Sequence, residues 1–313
     1  MVGDTNRKIL TFFMSFFNRL ITFTLPALPK WIAKPFAKPY VAGETAEEAL
    51  EHIKAINDRG FSATIDILGE QITDEDEARN ITKQYCKLYN QISQQSLNCN
   101  LSIKPTHVGL RISLDEAIAN ITNILNQAKE NKNFLRLDME NSPYTDHTFE
   151  IYARCKQNYE HVGVVIQSYL RRSQEDIERL ASGNFNARIC KGIYQESETI
   201  AFQDRKKIKD NFITLAKVMA SKGAFAGFAT HDQNLIDQLL DWINSENLSS
   251  DSFEFQVLYG VPMSGRLEAL QDQGFKVRVY VPFGPDWFNY SVRRLRENPD
   301  IAGYVIKNMF KNE

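Results

Sequence analysis

The sequence predicts an α/β chain folded as a (β/α)8 TIM-type barrel with an N-terminal helical arm. Three observations carry that expectation. Eight short apolar or β-branched runs alternate with longer amphipathic segments over about 250 residues, the rhythm of strands joined by crossover helices. No G-x-G-x-x-G follows any run, so a doubly wound open sheet, the alternative architecture, lacks its dinucleotide loop. The runs end on polar or ionisable residues, and barrel enzymes gather their chemistry at the C-terminal ends of strands.

Taken in order, residues 1–40 form an apolar, basic arm and residues 41–313 the barrel. From Ile9 to Ile32 the arm is dense in Phe, Leu and Ile, with Arg19 and Lys30 inside and Lys8, Lys34 and Lys38 around it. A membrane span needs about 20 mostly apolar residues. Asn18-Arg19 interrupts this run, and Pro26 and Pro29 break it. No small-x-small cleavage site supports a signal peptide. Two readings stay open, an arm packed on the barrel and an arm resting on a membrane surface. Phe12, Phe13, Phe16, Phe17 and Leu20 at helical spacing satisfy either.

Thr45 to Arg59 reads as a helix ahead of the first strand. Strands are expected at Ser62 to Leu68, Leu101 to His107, Phe134 to Glu140, Gly163 to Tyr169, Ala187 to Tyr194, Ala224 to His231, Phe253 to Tyr259 and Val277 to Val281. Helices are expected at Asp74 to Gln95, Ser113 to Asn131, Asp204 to Ser221 and Asn234 to Asn244. Several open on Asp or Ser, whose short oxygen side chains accept a free first-turn amide.

A formal net charge of −2 over 313 residues excludes a nucleic-acid binder by charge. The four cysteines, Cys86, Cys99, Cys155 and Cys190, form no CxxC and have no histidine at ligand spacing. They read as free thiols of a reducing, cytoplasmic compartment, with no metal site.

The candidate site comes from the strand ends and from one later segment. If residues 290–297 are helical, Tyr290, Arg293, Arg294 and Glu297 share a face, and two adjacent guanidiniums can fork onto one carboxylate or phosphate. The strand ends bring Asp66 and Glu70; Lys104 and His107; Asp138 and Glu140; Gln167 and Tyr169; Lys191 and Tyr194; Thr230, His231 and Asp232; Gln256, Leu258 and Tyr259; and Tyr280. Each alone is explained by a strand meeting solvent. Lys104 and Asp138 differ, because they sit in apolar runs where an unpaired charge is costly, so each needs a partner or a ligand.

These residues lie in fragments that resemble the proline dehydrogenases: "LGE" at Leu68 to Glu70, "SIKPTHVGL", "LRLDMENSPYT", "VVIQSYL", "ARICKGIY", "ATHD", "FQVLYG" and "YVPFGPDWFNYSVRRLREN", in family order. The resemblance runs from about Leu68 to Asn298 and leaves out the arm. It implies FAD-dependent oxidation of L-proline to Δ1-pyrroline-5-carboxylate, with hydride passing to flavin N5 and electrons to membrane quinone. It implies that Lys104, Arg293 and Arg294 bind the substrate carboxylate, that Tyr194, Leu258, Tyr280 and Tyr290 wall the ring, and that Glu70 pairs with Arg293 as a gate.

By the same resemblance Asp138 and Arg188 are catalytic; the role that the chemistry of Asp138 itself suggests is electrostatic, orienting either Lys104 or Tyr194. Met139, Gln167, Arg188, Lys191, Gly192, Ile193, Thr230, His231 and Glu297 would hold the flavin, with a turn at Gly192 letting backbone approach it. Three positions depart from the family pattern: Ile193 stands for alanine, Gln195 for an aromatic, and Asp232 where asparagine is common. No aldehyde-dehydrogenase domain is recognisable, so a separate pyrroline-5-carboxylate dehydrogenase is expected. A quinone acceptor places the protein peripherally at the inner face of the cytoplasmic membrane if the arm binds lipid. The rival readings are another flavin barrel of the methylenetetrahydrofolate reductase kind and a non-catalytic barrel.

Overall fold

Eight parallel strands close on themselves in sequence order, successive strands being joined by return segments that bring the chain back to the same end. The computed structural model describes residues 38–181, 184–288 and 290–292. The strands are β1 (Ser62–Ile67), β2 (Cys99–Ile103), β3 (Leu135–Leu137), β4 (Val162–Gln167), β5 (Asn186–Cys190), β6 (Phe225–Ala229), β7 (Phe253–Leu258) and β8 (Val277–Phe283). The helices are α1 (Ala46–Asp58), α2 (Glu75–Gln94), α3 (Leu114–Glu130), α4 (Thr145–Asn158), α5 (Ser173–Leu180), α6 (Arg205–Ser221), α7 (Gln233–Ser245) and α8 (Arg266–Asp272). Closure is made by β1 and β8, paired from Ser62 opposite Arg278 to Ile67 opposite Phe283.

Caps set the helix starts where short polar side chains precede an apolar stripe. Thr45 and Glu48 form a capping box on α1, and Asp74, Ser113, Asp204 and Asp232 accept first-turn amides of α2, α3, α6 and α7. Several strands stop earlier than the apolar runs suggest. The run through His107 leaves the sheet at Ile103, because Pro105 has no N–H to pair and starts a 3-10 turn, Pro105–Val108. The run through Glu140 then loses its neighbour, and its last ladder bond is Asp138 N–H to the Ile103 carbonyl. The run through Tyr194 ends at Cys190, ahead of Gly192 at φ +99°.

The barrel interior is polar in two layers, and this follows from period-two alternation on strands buried on both faces. Below, Thr64 bonds Asn100, Arg278 reaches Asn100 and Glu254, and Arg136 reaches Asn186. Two inward glycines make room. A Cβ at Gly163 would lie 2.4 Å from the Arg136 guanidinium, and one at Gly227 2.4 Å from the Gln256 amide. The alternate residues face the helices, where Phe212, Phe228, Phe253, Phe255 and Phe275 stack with centroids 5.6–6.5 Å apart between neighbours. Among the described residues no helix is long and apolar enough to cross a membrane.

Candidate active site

The upper layer, at the C-terminal ends of the strands, is a buried ionic cluster. Lys104 Nζ, one residue past β2, donates to Asp66 Oδ2 on β1 at 2.7 Å. Asp138, one residue past β3, takes Arg188 Nη1 at 2.7 Å and the Ser102 hydroxyl at 2.5 Å on Oδ1, and the Tyr280 hydroxyl at 2.8 Å on Oδ2. Arg188 is fixed on two further sides. Its Nε donates to Gln256 Oε1 at 2.6 Å, and its guanidinium lies 4.9 Å from the centre of the Tyr280 ring. Gln256 turns its own amide N–H toward Glu254, so its oxygen faces Arg188.

Electrostatics follow from these partners. Burial would raise the Asp138 carboxyl, but Arg188 and Lys104 hold it below the usual range, so Asp138 is an anion. Burial, with the Asp138 charge adding to it, pushes Asp66 up to about 6 against the pull of Lys104. Burial alone would lower Lys104; the carboxylates of Asp66 and Asp138 outweigh it and hold the ammonium charged. His107, behind this cluster, is pushed down to about 3 by burial and by Lys104 and is therefore neutral. The result is a fixed anion at Asp138, two fixed cations, and a tyrosine hydroxyl committed as donor.

The sequence reading left open whether Asp138 orients Lys104 or Tyr194. The carboxylate is held by Arg188, Ser102 and Tyr280, while Lys104 donates to Asp66 and the Tyr194 hydroxyl to Glu70 Oε2 at 3.4 Å. Leu258 is half-buried, and its N–H donates to His231 Nε2 at 2.8 Å, which leaves the ring proton on Nδ1. Tyr290 is buried in a helical stretch of residues 290–292 after β8. Arg293, Arg294 and Glu297, and with them the Glu70–Arg293 pairing, lie outside the described residues.

Of the residues expected to hold a flavin, those described form an arc across the ends of β3 to β6. Gln167 donates to the Met139 carbonyl at 3.3 Å, and its buried Oε1 has no partner among the described residues. Lys191 pairs with Asp232 at 2.7 Å, and Lys209 shares that carboxylate, holding it at about 2 against the opposing effect of burial. Asp232 also caps α7, so the acid in place of asparagine has two cations to answer. Thr230 is buried, its hydroxyl accepting from Asp232 N–H. Ile193 is 49% exposed, an uncommon state for a large apolar side chain among the described residues.

Gly192 has a structural reason of its own, beside the cofactor approach that the resemblance implies. A Cβ there would lie 2.2 Å from the Tyr169 ring, so the glycine admits that ring as well as the positive φ. Asp66, Ser102 and Gln256 are site residues that sequence reasoning gave no role, Asp66 and Gln256 being named there only as polar strand ends. Ser102 was legible in principle, since Asn100, Ser102 and Lys104 fall at period two on one strand face.

A closed barrel with a buried charged cluster at its C-terminal strand ends is the build of a (β/α)8 enzyme. The family model described as "Proline dehydrogenase" matches residues 49–307. "Proline dehydrogenase 1" of Bacillus subtilis is 38% identical over 275 residues, covering 88% of this chain and 91% of its own. "Proline dehydrogenase" of Deinococcus radiodurans is 33% identical over 280 residues, covering 88% and 90%. Among solved structures, proline utilization A from Bdellovibrio bacteriovorus, inactivated by N-propargylglycine, is similar at a TM-score of 0.78 and 25% identity. That match covers 89% of this chain and 34% of the other, so this chain spans about a third of that protein. The chain belongs to the proline dehydrogenase family and is an oxidoreductase.

Proposed function

We propose that the protein oxidises L-proline to Δ1-pyrroline-5-carboxylate with FAD as cofactor and membrane quinone as electron acceptor. The observation that carries this reading is the family match over residues 49–307, together with the Lys104, Asp138, Arg188 and Tyr280 cluster at the barrel mouth. FAD, when bound, supplies the hydride acceptor and passes the electrons on.

The residues of the arc fit a flavin. The partnerless Oε1 of Gln167 suits a ring N–H, and the Arg188 guanidinium favours a ring that becomes anionic on reduction. Met139, Gln167, Arg188, Lys191, Gly192, Ile193, Thr230, His231 and Glu297 form the cofactor set. Lys104, with Arg293 and Arg294, holds the proline carboxylate and so fixes the carbon beside the ring nitrogen for transfer. Asp138 braces both sides of that encounter, one oxygen on the cation of the cofactor set and the other on the tyrosine of the substrate wall. Tyr194, Leu258, Tyr280 and Tyr290 enclose the pyrrolidine ring and exclude water. Glu70 and Arg293 close the site, with the Tyr194 hydroxyl bonded to the Glu70 carboxylate.

Quinone as acceptor gives the apolar, cationic residues 1–40 a place at the inner face of the cytoplasmic membrane, and a separate pyrroline-5-carboxylate dehydrogenase consumes the product. The test is product formation by the purified protein. A yellow protein that releases FAD on acid treatment, and turns L-proline into a cyclic imine with a soluble quinone, bears the proposal out. A colourless protein that stays empty when FAD is added, or a yellow one that makes no imine, overturns it.

A further inference from the structure

Thr106 and Glu140 touch neither Lys104 nor Glu70 by a hydrogen bond, yet they tie together the two segments that carry them. Both oxygens of the Glu140 carboxylate are engaged by one residue. Thr106 N–H donates to Oε2 at 2.9 Å and the Thr106 hydroxyl donates to Oε1. Thr106 then holds the segment after Glu70 twice, its hydroxyl accepting from Gln71 N–H at 3.0 Å and its carbonyl from Ile72 N–H at 3.1 Å. A third contact lies alongside, because the His107 ring sits where a Cβ of Gly69 would be, 2.2 Å from Nε2. Glu140, Thr106 and His107 are all buried.

Gln71 explains why the tie has work to do. Its φ is +64°, the left-handed region that is strained for a side-chain-bearing residue. The Gln71 N–H to Thr106 bond offsets that strain. Without it Gln71 can relax to negative φ, and the peptide plane that aims Glu70 at Tyr194 turns with it. Lys104 lies two residues before Thr106, on the other side of Pro105, so the same carboxylate steadies the β2 end.

We propose that Thr106, anchored by Glu140, is a positioning residue that sets the relative placement of Lys104 and Glu70, and so governs substrate capture rather than hydride transfer. The proposal rests on the proline reading above for the identity of the substrate, but the tie itself does not. Two variants separate hydroxyl from shape: Thr106→Val removes the hydroxyl at nearly constant volume, and Thr106→Ser keeps it. Glu140→Gln keeps the shape while exchanging one acceptor for a donor, and reports on the same tie should Thr106→Val fold poorly.

Hydrogen exchange at the Gln71 and Ile72 amides and steady-state kinetics with L-proline are measured on the FAD-loaded protein. The loss of one hydrogen bond predicts exchange about tenfold faster in Thr106→Val, with KM for proline up about tenfold and kcat within roughly twofold; Thr106→Ser stays near the unaltered protein. Unchanged exchange, unchanged KM, or a kcat that falls while KM holds would overturn the proposal. If the unaltered protein does not oxidise proline, the substrate reading fails instead, and unchanged exchange in Thr106→Val would still sink the tie.

Discussion

Asp138 shows how much one buried carboxylate can organise. It takes donors from β2, β5 and β8, so Arg188, proposed for the cofactor set, and Tyr280, proposed for the substrate wall, share one anchor. Removing the Tyr280 hydroxyl deletes one charge-assisted bond and leaves the ring against Arg188. Tyr280→Phe is therefore expected to lower kcat/KM for proline roughly tenfold, with flavin content unchanged. pH dependence belongs to this scale too. Asp66 is raised to about 6 and Glu140 to about 7, from ordinary values of 3.8 and 4.5, so the folded protein keeps protons that the unfolded chain has lost. Their stabilisation is fully present below about pH 4 and is lost as pH rises through about 6 to 7. Thermal unfolding of Glu140→Gln is expected to vary less than that of the unaltered protein between about pH 5 and about pH 8. An equal variation in the two proteins would remove Glu140 from that account.

At the scale of elements, the strands position the site through alternation, and the inward glycines set what alternation can hold. Gly227→Ala puts a methyl 2.4 Å from the Gln256 amide, whose oxygen fixes Arg188. We expect the variant to lose flavin affinity before it loses fold, read as flavin released at equal protein concentration in dialysis. Phe228→Ala, on the helix-facing side, is expected to cost about 3–5 kcal/mol of unfolding free energy, because the ring packs on Phe212, Phe253 and Phe255. Denaturant unfolding checks it. The order of strands and helices was legible because apolar period and capping residues are local. Their ends were less so, because β3 stops where β2 turns away at Pro105, a fact of the neighbouring strand. The polar lower layer, Arg136 with Asn186 and Arg278 with Glu254, was invisible for a related reason: each charge is answered by a residue far along the chain.

For the whole molecule, the barrel brings to one end residues spread from Asp66 to Tyr280, and the family resemblance was what let roles be named before contacts were known. Geometry then added what motifs do not carry, chiefly that Lys104 answers Asp66 and that Ser102 and Gln256 brace the central pair. A prediction for the arm belongs to this scale as well. If residues 1–40 rest on a membrane, deleting residues 1–38 should abolish binding to anionic liposomes while leaving proline oxidation with soluble quinone intact; undiminished binding would assign the arm to the barrel instead. The most direct test of the central claim is anaerobic flavin reduction by L-proline in stopped flow, comparing the protein with Lys104→Met. The account predicts bleaching of the visible flavin band, with the half-saturating proline concentration raised about tenfold or more in the variant. No bleaching by proline, or the same half-saturating concentration in both proteins, would contradict it.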